Sequence, residues 1–186
     1  YDKAKKKKSN RPVMLIFNKD LSVSPITTHI PLKFVHKKIN KKNVVNNVLN
    51  INYFYEKILK IKPKIAMLGL NPHCESKLKY NEEINVIIPA IKTLKKKKVN
   101  ITGPHSADTF FLKNNLKNYN SVIGMYHDQV LTPFKTIYGF DASNITLGLP
   151  FLRLSVDHGP NEVMIGKNKS NTKSLENIFN FLVSIK

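Results

Sequence analysis

Residues 64–73 read KIAMLGLNPH, an apolar run that ends in a glycine, a proline and a histidine. A short continuous apolar run bounded by turn residues is typical of a buried strand. His73 would therefore follow the carboxyl end of a sheet strand, where open α/β sheets bind their ligands. This stretch decides the fold class, because it predicts a fully buried strand that leads directly into a candidate site.

Two further apolar or turn-bounded segments also lead into a histidine. SVIGMY precedes His127, and SPITT precedes His29. A single histidine is more often a packed or exposed bystander than a ligand. Three imidazoles with an open coordination position nevertheless suit a catalytic divalent cation, and Asp128 can orient one of the rings as a second-shell partner. The spacing therefore suggests a metal site, although no paired motif such as H-E-x-x-H supports it.

Predicted strands alternate with predicted helices along the chain. Apolar positions recur at helical spacing in residues 42–60, 81–98 and 175–185, and Pro89 predicts a kink or a broken start in the second of these helices. Short apolar runs predict strands near residues 12–17, 21–28, 64–70, 99–102, 121–126 and 144–149. This alternation indicates a layered α/β domain with a largely parallel sheet.

The composition is that of a folded chain from a reducing compartment. Hydrophobic residues make up 41% of the chain and charged residues 23%, which excludes a disordered protein. No stretch approaches the roughly 18 apolar residues that span a bilayer, so we expect no membrane partner. Cys74 is the only cysteine, which excludes an internal disulfide and predicts a cytoplasmic location. Because residue 1 is Tyr1 rather than methionine, we expect the chain to be an internal piece of a longer protein.

The net charge of +19 raises the alternative of a basic nucleic-acid-binding module. Only Arg11 and Arg153 are arginines, and all other basic residues are lysines. Proteins that read bases and phosphates favour arginine for its bidentate fork, so nucleic acid is the weaker interpretation. The charge can also attract small phosphorylated metabolites.

Six motifs follow one another in order along the chain. They are TTHIPL at 27–32, GLNPH at 69–73, GP with ADT at 103–109, MYHDQ at 125–129, NITLGLPF at 144–151 and SVDHG at 155–159. From about His29 to the end, this series closely resembles the 4-hydroxythreonine-4-phosphate dehydrogenase family of pyridoxal phosphate biosynthesis. The resemblance implies a three-layer α/β/α fold with a mostly parallel sheet, similar to isocitrate and isopropylmalate dehydrogenases, and here incomplete.

The resemblance also implies a reaction and a set of site residues. The family oxidises the 3-hydroxyl of 4-phosphooxy-L-threonine with NAD or NADP, and the β-keto acid loses carbon dioxide to give 3-amino-2-oxopropyl phosphate. A divalent cation (zinc, cobalt, magnesium, manganese or nickel) assists. Without the motif likeness, Lys135 would be interpreted as a solvated surface lysine and Asn144 as a turn or strand-end residue. The implied metal ligands are His29, His73 and His127, and the implied substrate contacts are Lys135, Asn144 and Arg153.

The nicotinamide cofactor has no glycine-rich loop to mark its site, because G-x-G-x-x-G does not occur in the chain. In the isocitrate and isopropylmalate dehydrogenases a His-Gly loop approaches the adenosine half. That likeness implies cofactor contacts at Asp157, His158 and Gly159, together with Asp108 and Thr109. A simple tight turn at His158 and Gly159 is the alternative.

The family pattern is incomplete here in ways that affect the prediction. Family members carry a long N-terminal region before the first metal histidine, and this chain lacks it. Residues 1–11 would be a basic arm, residues 12–168 the metal- and substrate-binding domain, and residues 169–186 a closing helix that packs on the absent N-terminal domain. We therefore expect the apolar face of residues 175–185 to be under-packed. Residues 74–80 lack the glycines that the family has in this loop.

The family is a homodimer with its active site at the subunit boundary, and one metal histidine comes from the neighbour. The resemblance thus implies that His127 need not lie near His29 and His73 within one subunit. Two rival interpretations stay open. The chain can be a truncated, inactive dehydrogenase remnant that only binds metal or a partner subunit, or it can be the basic nucleic-acid-binding module considered above.

Overall fold

One mixed β-sheet runs through the protein, here described from a computed structural model that covers residues 11–74, 81–159 and 162–185. Within these ranges the sheet has seven strands. They are β1 Val13–Phe17, β2 Ser22–Pro25, β3 Ile65–Leu68, β4 Ile101–His105, β5 Ser121–Gly124, β6 Ser143–Leu147 and β7 Arg153–Val156. The sequence predicted all of these except β7.

The strand order is β4-β3-β5-β2-β1-β6-β7. The first four of these strands are parallel to one another, whereas β1 is antiparallel to both of its neighbours and β7 is antiparallel to β6. Five of the seven described strands therefore run in one direction and two in the other. This confirms the predicted α/β fold with a mostly parallel sheet. The parallel half carries β2, β3 and β5, the three strands that lead to the candidate histidines.

Helices cover both faces of the sheet. They are α1 Val35–Lys38, α2 Lys41–Lys57, α3 Ile88–Lys96, α4 Ala107–Phe110, α5 Lys113–Leu116, α6 His127–Tyr138 and α7 Lys173–Ser184. The helices α2, α3 and α7 contribute to one apolar cluster, and α4, α5 and α6 contribute to the other. None of the helices in the described ranges is both long and apolar enough to cross a bilayer.

Strand β3 shows why the sequence KIAMLGLNPH forms the centre of the fold. Ile65 and Met67 belong to the cluster on one face, and Ala66 and Leu68 belong to the cluster on the other. All four side chains are fully buried. Because side chains alternate across a strand, only a continuous apolar run can satisfy both layers. The buried strand predicted from the sequence is confirmed.

The helix that precedes β4 begins irregularly. A π-helical turn spans Glu83–Ile87, and the regular helix α3 follows with Pro89 in its first turn. Proline lacks the N–H that would bond one turn back, which explains the widened turn at the predicted position. Asn81 Oδ1 accepts a hydrogen bond from Ile84 N at 2.8 Å, and this cap closes the start of the segment.

The closing helix α7 is buried on one side only. Ile178 and Phe181 are buried, and the Phe181 ring stacks on Phe54 with centroids 6.0 Å apart. The expected under-packing therefore applies to the outer part of the face and not to Ile178. Four apolar side chains on this helix are 44–67% exposed: Leu175, Phe179, Leu182 and Val183. Docking of α7 on a further domain stays a prediction.

Three stretches discussed from the sequence lie outside the described residues. They are residues 1–10 of the proposed basic arm, residues 75–80 of the glycine-free loop, and Pro160-Asn161 after the SVDHG motif. The fold and site described here rest on the other ranges.

Candidate functional site

The three candidate histidines follow neighbouring parallel strands. In the order β3-β5-β2, the strand β3 leads to His73, β5 leads to His127 and β2 leads to His29. The carboxyl ends of parallel strands meet at one edge of the sheet, which is where α/β proteins bind ligands. The sheet therefore supplies the common edge that the sequence predicted.

His29 and His127 lie side by side. Their ring centroids are 5.3 Å apart. The Nδ1 atom of His127 lies 2.7 Å from Asp128 Oδ1, which leaves its Nε2 atom for another ligand. Thr27 fixes the His29 segment beside β5, because Thr27 N and Thr27 Oγ1 both donate to the Met125 carbonyl, at 3.2 and 2.7 Å. The contact of Asp128 suits an orienting role, which stays a prediction.

His73 points elsewhere. It lies in a 3₁₀ turn, Pro72–Cys74, with a left-handed φ of 56°, and its Nδ1 atom is 3.9 Å from Asp108 Oδ2. The His73 side chain is 73% exposed. Among the residues that the structure describes, no three His, Cys, Asp or Glu side chains form a group that could hold a metal ion. The resemblance implied that one metal histidine comes from the neighbouring subunit and that His127 need not lie near the other two. Within this chain His127 lies beside His29, and His73 is the histidine that lies apart.

A buried carboxylate holds the turn that carries His73. Glu83 is 1% exposed, and its Oε1 accepts from Leu70 N at 2.7 Å and from Asn71 N at 2.8 Å. Its Oε2 accepts from Asn71 Nδ2 at 2.8 Å. Burial raises the pKa of Glu83, but the hydrogen bonds from Asn71 and Leu70 outweigh it, so the pKa is lower than usual. Glu83 was not singled out from the sequence; it lies within the helix predicted over residues 81–98 and two residues after the Asn81 cap.

A cavity of about 810 Å³ opens beside the His29–His127 pair. This volume is in the range of small-molecule sites. Among the residues singled out from the sequence, those that line the cavity are His29, His127, Asp128, Lys135, Asn144, Asp157, His158 and Gly159. The cavity thus brings together part of the predicted metal, substrate and cofactor sets.

An ion pair closes one side of this cavity. Lys135 Nζ donates to Asp157 Oδ2 at 2.6 Å and to the Asp157 carbonyl at 2.9 Å. The Asp157 side chain is fully buried, and the Lys135 side chain is 29% exposed. In the described part of the chain, the second oxygen of Asp157 and the Oδ1 atom of Asn144 are buried without a hydrogen-bond partner. Both unpartnered oxygens belong to residues that line the cavity.

The remaining candidates lie outside the cavity. Arg153 is exposed on β7, and its guanidinium donates to Thr146 Oγ1 at 2.8 Å. Asp108 and Thr109 are exposed on α4, close to His73. At Gly159, which does line the cavity, an added Cβ would meet no atom of the described residues within 4 Å. Arg153 is therefore the one substrate candidate that does not line the cavity, and the predicted cofactor residues are divided between two places.

The comparisons with known proteins cover most of this chain. The sequence model of the family described as pyridoxal phosphate biosynthetic protein PdxA matches residues 3–181. The 4-hydroxythreonine-4-phosphate dehydrogenase of Sulfurihydrogenibium sp. (strain YO3AOP1) is 47% identical over 163 residues, which are 87% of this chain and 50% of that protein. The enzyme of the same name from Wigglesworthia glossinidia brevipalpis is 42% identical over 177 residues, which are 94% of this chain and 53% of that protein.

A solved structure supports the same relationship. The crystal structure of 4-hydroxythreonine-4-phosphate dehydrogenase from Klebsiella pneumoniae has a TM-score of 0.80 and 32% identity, covering 94% of this chain and 54% of that chain. This chain spans about half the length of the curated relatives that it matches. The motif order, the fold and these matches agree, and the chain belongs to the pyridoxal phosphate biosynthetic protein PdxA family.

Proposed function

We propose that this chain forms the metal- and substrate-binding part of an NAD-dependent 4-hydroxythreonine-4-phosphate dehydrogenase. In the proposed reaction a hydride leaves C3 of 4-phosphooxy-L-threonine for NAD or NADP, and the hydroxyl proton is released. The resulting β-keto acid then loses carbon dioxide and gives 3-amino-2-oxopropyl phosphate. The observation that carries the proposal is that His29, His127, Lys135 and Asn144 line the same cavity.

The substrate contacts follow from the charges in the cavity. Lys135 suits the phosphate or carboxylate of the substrate, and an anion that reaches its Nζ competes with the Asp157 carboxylate. Asn144 offers a buried acceptor oxygen to a substrate donor. Arg153 is kept as an anion contact at the outer strand β7, because a guanidinium suits phosphate geometry.

The cofactor contacts are proposed on both sides of the site. Asp157, His158 and Gly159 line the same cavity as the substrate lysine, which supports a place for the nicotinamide cofactor there. Asp108 and Thr109 belong to the surface beside His73, so their proposed contact with cofactor requires the assembled protein.

The donor set within one chain fits a divalent cation in part. His29 and His127 present two adjacent imidazoles, and we propose that His73 of a second copy completes the site in a homodimer. The high exposure of His73 supports this arrangement. Three imidazoles suit zinc, cobalt, nickel or manganese, and availability decides among them, whereas magnesium prefers oxygen ligands and fits this donor set least well. When bound, the cation polarises the substrate oxygen and stabilises the enolate charge that develops on decarboxylation.

A second candidate function is an inactive remnant that binds metal or a partner subunit in the cytoplasm. One observation favours it: no complete group of three ligands occurs among the described residues. The cytoplasmic location is proposed from the single cysteine.

A turnover assay separates these functions. The chain alone, and the chain joined to the N-terminal half of the Sulfurihydrogenibium relative, are supplied with 4-phosphooxy-L-threonine, NAD and each divalent cation. We expect equimolar NADH and 3-amino-2-oxopropyl phosphate, lost in His127→Ala and Lys135→Met but kept in the control Lys92→Met, which changes an exposed lysine of α3. Cation binding without turnover in either form would leave the remnant. Salt-dependent retention of DNA without either would indicate the nucleic-acid-binding alternative.

A further inference from the structure

Gln129 joins the ends of two neighbouring strands. Its Oε1 atom accepts a hydrogen bond from Met125 N at 2.7 Å, and its Nε2 atom donates to the Gly69 carbonyl at 2.7 Å. Met125 follows β5, which leads to His127, and Gly69 follows β3, which leads to His73. One side-chain amide therefore connects the two histidine-bearing strand ends, using both its donor and its acceptor.

Glycine stands at the end of each strand because side chains pack against the backbone there. A Cβ at Gly124 would lie 2.9 Å from Gln129 Oε1 and 2.5 Å from a methyl carbon of Val130. A Cβ at Gly69 would lie 3.0 Å from Glu83 Oε1. The absence of these two Cβ atoms lets the Gln129 amide and the Glu83 carboxylate reach the main chain. The strand ends are thus built around these two polar side chains.

We propose that Gln129 is a positioning residue that fixes the spacing between the strand ends bearing His73 and His127. The inference rests on the proposed metal function. The same group of hydrogen bonds extends to the segment that carries His29, because the Met125 carbonyl accepts a hydrogen bond from Thr27 Oγ1. In the proposed dimer His127 serves the site of its own chain and His73 serves that of the neighbour, so Gln129 sets the relation between the two sites.

The opposite ends of the same strands offer a matched control. Asn120 precedes β5, and its Oδ1 atom accepts from Lys64 N, which precedes β3, at 2.8 Å. Asn120→Leu removes a side-chain amide contact between the same two strands, far from the histidines. Gln129→Met removes the corresponding contact at the histidine end with little change in volume. The two variants release the strands at opposite ends: Gln129→Met loses two side-chain amide hydrogen bonds, and Asn120→Leu loses one.

The test measures Zn²⁺ and Co²⁺ affinity by calorimetry, together with the Co²⁺ absorption spectrum, in the complete assembly. We expect Gln129→Met to weaken metal binding by about 10- to 100-fold, the range typical of removing an outer-shell residue from a metal site. The variant should also alter the Co²⁺ absorption spectrum. Asn120→Leu should stay within about twofold of wild type. An affinity within twofold for Gln129→Met, or an equal loss in Asn120→Leu, overturns the inference.

Amide hydrogen exchange distinguishes failure of this inference from failure of the proposed function. If the wild-type assembly takes up no metal, the proposed function fails, and exchange alone decides the inference. The loss of one hydrogen bond, on the order of 1 kcal/mol, should speed exchange at Met125 by roughly fivefold in Gln129→Met and leave the Leu15 amide of β1 unchanged. Asn120→Leu should not affect Met125. Unchanged exchange at Met125 in Gln129→Met overturns the inference whether or not metal binds.

Discussion

Lys135 Nζ lies 2.6 Å from Asp157 Oδ2 in the wall of the cavity, and the Asp157 side chain is fully buried. The same ammonium is the proposed contact for an anionic substrate group. An incoming phosphate or carboxylate must therefore compete with an internal carboxylate that is already in contact. This pairing keeps a buried charge balanced before ligand binds, at the expense of affinity for the anion.

Asp157→Asn should bind inorganic phosphate roughly tenfold more tightly than wild type, because the competing negative charge is removed. The same change should lower the free energy of unfolding by on the order of 3 kcal/mol, since Lys135 loses its buried partner. Phosphate titration by calorimetry and urea unfolding measure the two effects.

The matched control is the exposed pair of Lys173 and Asp141, whose charged atoms are 4.0 Å apart. Lys173→Met should change the unfolding free energy by less than about 1 kcal/mol. Weaker phosphate binding in Asp157→Asn than in wild type would count against competition for Lys135.

Mixing two defective chains should restore metal binding if the site is shared between copies. In a dimer of His29→Ala with His73→Ala, one site keeps His29 and His127 of one chain and His73 of the other. Random mixing should therefore recover about a quarter of wild-type metal uptake, because half of the dimers are mixed and each has one intact site of two. Equilibrium dialysis with Zn²⁺ measures the recovery.

The control mixture is His29→Ala with His127→Ala. Because the structure pairs these two residues within one chain, no dimer of these variants has a complete site, and no uptake should return. Equal recovery in both mixtures would contradict the separate origin of His73.

Acid should loosen the turn that carries His73. Glu83 has a pKa below its usual value of 4.5 in the folded chain, so its ionised form stabilises the fold above about pH 4.5, and this contribution is lost as pH falls through the lowered pKa. Glu83→Gln should be less stable than wild type at neutral pH, and the difference should shrink below pH 4.5. Urea unfolding at several pH values measures it, with the exposed Glu56→Gln as the control that keeps the wild-type profile.

Truncation of two phenylalanines on α7 to alanine should have very different effects on the free energy of unfolding. Phe181 packs between Phe17 and Phe54, so Phe181→Ala should lower the unfolding free energy by about 3–4 kcal/mol. Phe179 is 60% exposed, and Phe179→Ala should change it by less than about 0.5 kcal/mol in this chain. Chemical denaturation of both variants measures the contrast. A large loss for Phe179→Ala would mean that the outer face is already covered.

The sequence was most informative where a local residue pattern is compatible with only one secondary structure. A continuous apolar run predicted the buried strand β3, and its end at Asn71-Pro72-His73 predicted a strand exit at the ligand-binding edge. Motif order predicted the family. None of these inferences required knowledge of how distant segments pack.

The missing parts of the prediction depend on contacts between distant segments or on local backbone geometry. Strand β7 is short, exposed or half-buried, and stabilised by pairing with β6, so it carries no strong periodicity. The direction of His73 depends on a left-handed φ that the sequence pattern does not encode. The roles of Gln129 and Glu83 arise from bonds to backbone atoms 60 and 12–13 residues away. These hydrogen-bond partners can be identified only from the folded structure, in which the strands lie side by side.

The first turn of α7 is bonded to the cavity wall. Ser174 Oγ donates to the Ala142 carbonyl and accepts from Asp157 N, and the exposed apolar side chains lie further along the same helix. A segment that covered the outer face of α7 would therefore also restrain the backbone of Asp157, which is paired with Lys135. Because thermodynamic coupling is reciprocal, assembly on α7 and anion affinity in the cavity should each alter the other by the same factor. Contacts on the outer face of α7 would then change how tightly the cavity binds an anion.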